Sequence, residues 1–224
     1  MYAAMSLGGC RKHDFPVYPK NYREFAYVTN SGSNTVTALD VVNLRQDRVI
    51  AVGRRPVGIA ANPARNEVYA VNADSASVSV IDTTRNEVVA TIAVDRTPYS
   101  IDVSRDGRNA YVANSGANNV SVIDLERRRV TATVGVGEGP GVARIAPDGS
   151  ALVVSNERSG SVSVVDPKLA RVRAFFSGCP GATAVTMLPD STKAFVACSG
   201  DATSAGHQVM VVGLARPAGA GVSA

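Results

Sequence analysis

One sentence of residues recurs along this chain, and its period constrains the fold more than any other feature. An asparagine that closes a short apolar run stands at Asn30, Asn72, Asn114 and Asn156. An aspartate that closes the following run stands at Asp40, Asp82, Asp124 and Asp166. Each series advances by 42 residues without drift. A tyrosine precedes the asparagine by three residues at Tyr27, Tyr69 and Tyr111, and Val153 takes that place in the next copy. In a fifth copy Cys198 falls on the asparagine register, and Val209–Val212 matches the second run only after an insertion. A period of roughly 40–50 residues that holds four short strands is the signature of a propeller blade.

Copy three shows the four strands, near 100–103, 109–113, 119–123 and 130–136. They are rich in Val, Ile, Thr and Tyr and alternate apolar with small polar residues, as half-buried strands do. Asp106-Gly107 and Asp148-Gly149 are hairpin signals. Pro56, Pro98 and Pro140 mark the entrance to each innermost strand, where proline costs no ladder hydrogen bond. The expected fold is all-β: a β-propeller of antiparallel four-stranded blades, with about four and a half repeats of 42 residues.

Phe25-Ala-Tyr-Val-Thr-Asn30 contains the Tyr-Val-Thr-Asn that names the YVTN family of β-propeller repeats, and the chain resembles that family over residues 25–214. The resemblance implies a bacterial or archaeal protein, commonly exported and commonly with seven blades. Propellers host many unrelated activities, so it implies a fold more than a function. Tryptophan is absent, which separates this repeat from the WD type.

Three segments are expected: an N-terminal tail (1–24), the propeller repeats (25–214) and a Gly/Ala-rich tail (215–224) expected to be disordered. Asp14–Asn21 stands where the innermost strand of blade one belongs, weakened by two prolines. Blade five lacks a fourth strand. Two readings follow: a product cut from a longer propeller, which the strand count favours, or a five-blade ring with one thin blade. An open propeller leaves unpaired edges and an uncovered blade face, and so predicts self-association.

Leu7-Gly-Gly-Cys10 is similar to a lipobox, which makes Cys10 a lipidation candidate and a membrane tether. The apolar stretch before it is shorter than the roughly 7–15 residues of a working signal. Either translation starts further upstream or the likeness is accidental and Cys10 is a free thiol. The lipobox and the family resemblance together give a periplasmic, cell-surface or secreted location as the expectation. Cys179 and Cys198 belong to antiparallel neighbouring strands at the same end of blade five, so a disulfide between them is geometrically allowed; two free thiols are the other reading.

No catalytic constellation stands out. The only histidines are His13 and His207, no His/Cys cluster has zinc spacing, and no cofactor is expected. The recurring asparagines and aspartates read as turn formers that hydrogen-bond loop backbone. Function is then expected in the loops that differ between copies: Arg54, Arg55, Arg96, Glu157, Arg158, Asp201 and His207 are the candidate binding residues. Arginines concentrate in the turns between third and fourth strands and between first and second strands, which emerge on one face. The expectation is a non-catalytic exported binding or scaffolding module for an unidentified protein or small molecule. The alternatives are a propeller enzyme of lactonase or quinoprotein type with its site at the channel mouth, and nucleic-acid or anion binding by the arginine-rich rim. With a net charge of +4 the chain is only mildly basic.

Overall fold

The computed structural model describes residues 24–200 and 208–214. The N-terminal tail with Cys10, the weak strand at 14–21, Asp201, His207 and the 215–224 tail lie outside the described residues.

The described residues form strands and turns only. Blade one has β1 (Phe25–Asn30), β2 (Thr35–Asp40) and β3 (Arg45–Ala51). Blade two has β4 (Pro56–Ala61), β5 (Glu67–Asn72), β6 (Ser77–Asp82) and β7 (Glu87–Ala93). Blade three has β8 (Pro98–Val103), β9 (Asn109–Asn114), β10 (Asn119–Asp124) and β11 (Arg129–Gly135). Blade four has β12 (Pro140–Ile145), β13 (Leu152–Asn156), β14 (Ser161–Asp166) and β15 (Arg171–Ser177). Blade five has β16 (Ala182–Met187), β17 (Lys193–Cys198) and β18 (Gln208–Gly213). Each blade is a separate antiparallel meander, and among the described residues the first and fifth sheets share no ladder, so the described array is open. The prolines that mark the blade entrances are the first residues of β4, β8 and β12, a position in a sheet that proline tolerates. Gly135–Gly141 spans the link from β11 to β12.

The core is a series of four apolar layers, one between each pair of successive blades. Alternation along a strand decides which layer a residue joins. In β5, Val68 and Ala70 face blade one while Tyr69 and Val71 face blade three. Ile81, Ile123 and Leu152 are fully buried in these layers. Removing a side chain of that size from water is worth about 1.5–3 kcal/mol.

Three turn positions carry a left-handed backbone in copy after copy. The turn between second and third strands has Asn34, Ala76, Asn118 and Gly160 at positive φ. The turn between third and fourth strands has Leu44, Asn86, Arg128 and Ala170. The link between blades has Arg55, Thr97, Gly139 and Gly181. Only some of these are glycine, so packing holds the others in a conformation that L-residues disfavour. Every fourth strand of blades one to four also carries a β-bulge, opposite Ala38/Leu39, Val80/Ile81, Val122/Ile123 and Val164/Val165. The register skips Asp47, Val89, Thr131 and Arg173, and that extra residue re-aims the strand at the same place in each blade.

Candidate functional site

The recurring asparagines are structural, with partners other than expected. Their amides donate to hydroxyl and amide oxygens on the third strand rather than to loop backbone. Asn72 reaches Ser77 and Ser79 at 3.2 and 3.0 Å, Asn156 reaches Ser161 and Ser163 at 3.2 and 3.0 Å, and Asn114 reaches Asn119 Oδ1 and Ser121, both at 2.8 Å. The left-handed residue of that turn stands four places further on. Gly53 and Gly137 lie over Asn72 and Asn156 so closely that a Cβ would fall 2.6 Å from the amide. In blade five the equivalent pair is Cys179 and Cys198, which form a disulfide with Cα atoms 4.9 Å apart.

The recurring aspartates cap their turns. Asp40 Oδ1 accepts from the Val42 and Asn43 amides, Asp82 Oδ1 from Thr84 and Arg85, Asp124 Oδ1 from Arg127, and Asp166 Oδ1 from Lys168 and Leu169. The Asn43 side chain holds the Asp40 carboxyl below its usual range, the Thr84 hydroxyl does the same for Asp82, and the Arg127 amide for Asp124.

The candidate binding residues on the face of the blade-to-blade links divide into two groups. Arg54, Arg55 and Arg158 act as latches: the first two fasten the link entering blade two to a turn of that blade, and Arg158 joins blade four to blade three. Arg55 Nε meets Asp74 Oδ1 at 2.7 Å, and Arg54 Nη2 donates to the Asp74 carbonyl at 2.9 Å. Arg158 Nη2 donates to the Ser115 carbonyl and to Asn118 Oδ1, each at 3.0 Å. Arg96 and Glu157 are exposed, and among the described residues only their backbone groups are bonded.

On the opposite face, much of the arginine charge is neutralised. Arg45 pairs with Asp40, Arg48 with Glu87, Arg85 with Asp82, Arg127 with Asp124 and Arg128 with Glu67. Their arginine ends remain 39% or more exposed, so water screens the attraction. The pairs still lower the net potential that the rim presents.

That face holds a cavity that sequence reasoning missed. A cleft of about 460 Å³ opens between blades three and four. Its floor is Tyr111, 5% exposed, with Val122 and Ala132. One wall is the turn of Ser104, Arg105 and Asp106, with Asn109 beside it; the other carries Pro147, Asp148, Lys168 and Ala170.

The neighbouring interfaces explain why it is open. Between blades one and two, Tyr27 OH donates to Asn86 Oδ1 at 2.6 Å, and the Asn86 amide donates to Asp47 at 2.9 Å. Between blades two and three, Tyr69 OH donates to Glu67 at 2.6 Å and accepts from Asn62 at 2.9 Å. Arg128 of blade three closes over them, donating to Glu67 at 3.1 Å and to the carbonyl of the bulge residue Val89 at 3.4 Å. Between blades three and four each sealing residue is shortened or turned away. Ser104 replaces Asn62, Asn109 replaces Glu67 and Ala170 replaces Arg128. The bulge residue Thr131 donates back to Val122 of its own blade at 3.2 Å. Tyr111 keeps its place but has no hydrogen-bond partner among the described residues. Burial, then the charges of Asp106 and Asp102, push its hydroxyl up to about 12, so it faces the cleft as a neutral donor. The signal was the missing bridging residue at position 170 of a repeat otherwise read for its similarities.

The Ser104 hydroxyl, then the Arg108 amide, keep Asp106 ionised well below the usual carboxylate range; the Ser150 amide does so for Asp148. Among the described residues Arg105 and Lys168 form no ion pair, so the cleft carries two cations and two carboxylates, one of each sign on each wall.

Sequential four-stranded meanders stacked through apolar layers define the class as β-propeller. The chain belongs to the YNCE-like beta-propeller family, whose pattern matches residues 11–146, more than half its length. Two solved structures are similar. One is "Kuenenia stuttgartiensis Hydrazine Synthase", 30% identical, with a TM-score of 0.73 over 77% of this chain and 52% of that one. The other is a functionally unknown protein from Desulfotomaculum acetoxidans DSM 771, 19% identical, with a TM-score of 0.61 over 74% of this chain and 58% of that one, a likeness of fold alone. The chain thus spans a little over half the length of each. No curated protein matches it.

Proposed function

We propose that this chain is a non-catalytic, exported propeller that works as a binding and scaffolding module, and that it binds a second copy of itself blade to blade. One observation carries this reading. The two terminal blades expose positions that every interior blade buries. Val28 of blade one is 45% exposed, whereas its repeat equivalents Ala70, Val112 and Val154 are at 0%. On blade five, Val209 and Val211 stand beside Ala197 and Phe195 on the face turned from blade four, and are 60% and 55% exposed. Phe195 stands where blades one to three place the tyrosine that packs on the next blade. One end therefore presents the trailing face of an inter-blade layer and the other the leading face. Two different, complementary faces give head-to-tail association, which closes into a ring or extends. The disulfide supports export, because such bonds persist in oxidising compartments.

Sedimentation velocity on the 224-residue chain tests this. A concentration-dependent dimer or larger species is expected, lost when Val209 and Val211 are both changed to Lys. A monomer at every concentration overturns it.

A second reading, a propeller enzyme, is favoured by the 30% identity to a chain titled hydrazine synthase. Titration with metal ions or a quinone, followed by thermal shift, separates the two: a saturable rise in Tm supports the enzyme. Nucleic-acid binding by the rim predicts an electrophoretic shift at physiological salt that vanishes steeply as salt is raised.

A further inference from the structure

We infer that the cleft between blades three and four binds a small zwitterion with an apolar body, an α-amino acid being the simplest member of the class. This goes beyond the scaffolding reading and does not depend on it.

The cleft's volume, about 460 Å³, lies within the range of small-molecule sites. Its base is apolar, from Val122, Ala132, Pro147 and Ala170, and suits a hydrocarbon side chain. Its mouth is charged on both walls. Arg105 stands beside Asp106 on blade three, and Lys168 with Asp148 on blade four. A simple anion would meet the two cations but be repelled by two ionised carboxylates, and a simple cation would meet the converse. A zwitterion gives each sign its partner. The aspartates' first oxygens are held by their own turns. Asp106 Oδ1 accepts from the Ser104 hydroxyl at 2.6 Å and the Arg108 amide at 3.1 Å, and Asp148 Oδ1 from the Ser150 amide at 2.9 Å. The second oxygen of Asp106 accepts no hydrogen bond among the described residues, so it is available to an ammonium group, whereas the Asp148 carboxylate also draws on the Ser150 and Ser191 hydroxyls. The ligand carboxylate then has the Arg105 guanidinium, the Lys168 ammonium and the Tyr111 hydroxyl as donors. Tyr111 is the decisive residue: it is nearly buried, faces the cleft and lacks the partner that Tyr27 and Tyr69 both have.

The test uses the whole chain, with amide chemical shifts followed by NMR during titration with leucine, with its deaminated analogue 4-methylpentanoate and with its decarboxylated analogue 3-methylbutylamine. Leucine is expected to shift the 104–109 and 147–150 turns saturably. Each analogue, having lost one charged contact, is expected to bind at least about tenfold more weakly. Ala170→Arg places at this interface the residue that seals its neighbour, and should abolish the leucine shifts. Arg128 already occupies the same left-handed position at φ 53°, so the backbone accommodates the change. Tyr111→Phe should weaken binding several-fold with the remaining shift pattern unchanged. No saturable shift with leucine, equal binding of either analogue, or undiminished binding by Ala170→Arg would each overturn the inference. Because these readouts are local shifts and affinities, they are independent of the oligomeric state that tests the scaffolding reading.

Discussion

The interfaces between blades two and three and between blades three and four are built from the same repeat, yet one is sealed and the other is open. Both have an apolar layer: Ile123, Val112 and Tyr69 belong to the first, Leu152, Val120 and Tyr111 to the second. The layers exchange one apolar residue for another, as at Ala110 and Leu152 or Ile123 and Val165, whereas at the turn end Asn62, Glu67 and Arg128 give way to Ser104, Asn109 and Ala170. Stability thus resides in the part that repeats, and a binding site arises where the polar closure is left out. A propeller can vary its turns freely because the strands beneath already hold the blades together.

The strongest way to test that separation is in the layers themselves. Ile123→Ala and Leu152→Ala should each destabilise the chain by about 2–5 kcal/mol, and by similar amounts, in urea unfolding. A much smaller loss for Leu152→Ala would mean that the cleft loosens the layer below it.

Reducing the Cys179–Cys198 disulfide, or replacing both cysteines with serine, should cost about 3 kcal/mol for a loop of this length. Thermal unfolding with and without reductant measures it. Because the bond lies in blade five, the shifts around Tyr111 should stay unchanged.

Arg128→Ala should open the sealed interface for a loss of about 1–3 kcal/mol, since it strips a charged partner from Glu67, whose side chain is only 14% exposed. The sharper readout is solvent access at the loop face, followed as a change in the Tyr69 ring resonances. If those resonances do not move, another residue seals that interface.

The smallest difference is expected in acid. Turn hydrogen bonds lower the carboxyl pKa values of Asp40, Asp82, Asp106, Asp124, Asp148 and Asp190 below the ordinary 3.8. The unfolded chain therefore binds more protons than the folded one as the pH approaches that value from above. The stability these groups supply is complete above the unfolded pKa and is lost as pH falls through the lower folded values. The turns of Asp82, Asp106, Asp124 and Asp148 flank the two interfaces, so local unfolding followed by hydrogen exchange should show both weakening together below about pH 4.

The period of 42 residues, the strand order within each blade and the roles of the recurring aspartates were legible in the sequence because they are local. A strand alternates with period two, and Asp before a turn bonds to amides two or three residues on. The asparagine partners were only half legible. Their hydroxyl acceptors are five and seven residues away on a paired strand, a relation set by register rather than by the turn itself. The latches of Arg54, Arg55 and Arg158 span 19 to 43 residues, which is why those side chains read as free loop charges.

What the sequence by itself determined is the unit: a blade, repeated, with its apolar faces and its caps. What only the tertiary structure decided is which side chains of one blade reach the next. Arg128 meets Glu67 across 61 residues and Tyr27 meets Asn86 across 59, while the Tyr111 hydroxyl has no hydrogen-bond partner among the described residues. No local preference encodes such contacts. They depend on the stacking of whole sheets and on a bulge that turns one fourth-strand residue towards or away from its neighbour, so the cleft exists only once blades three and four are side by side.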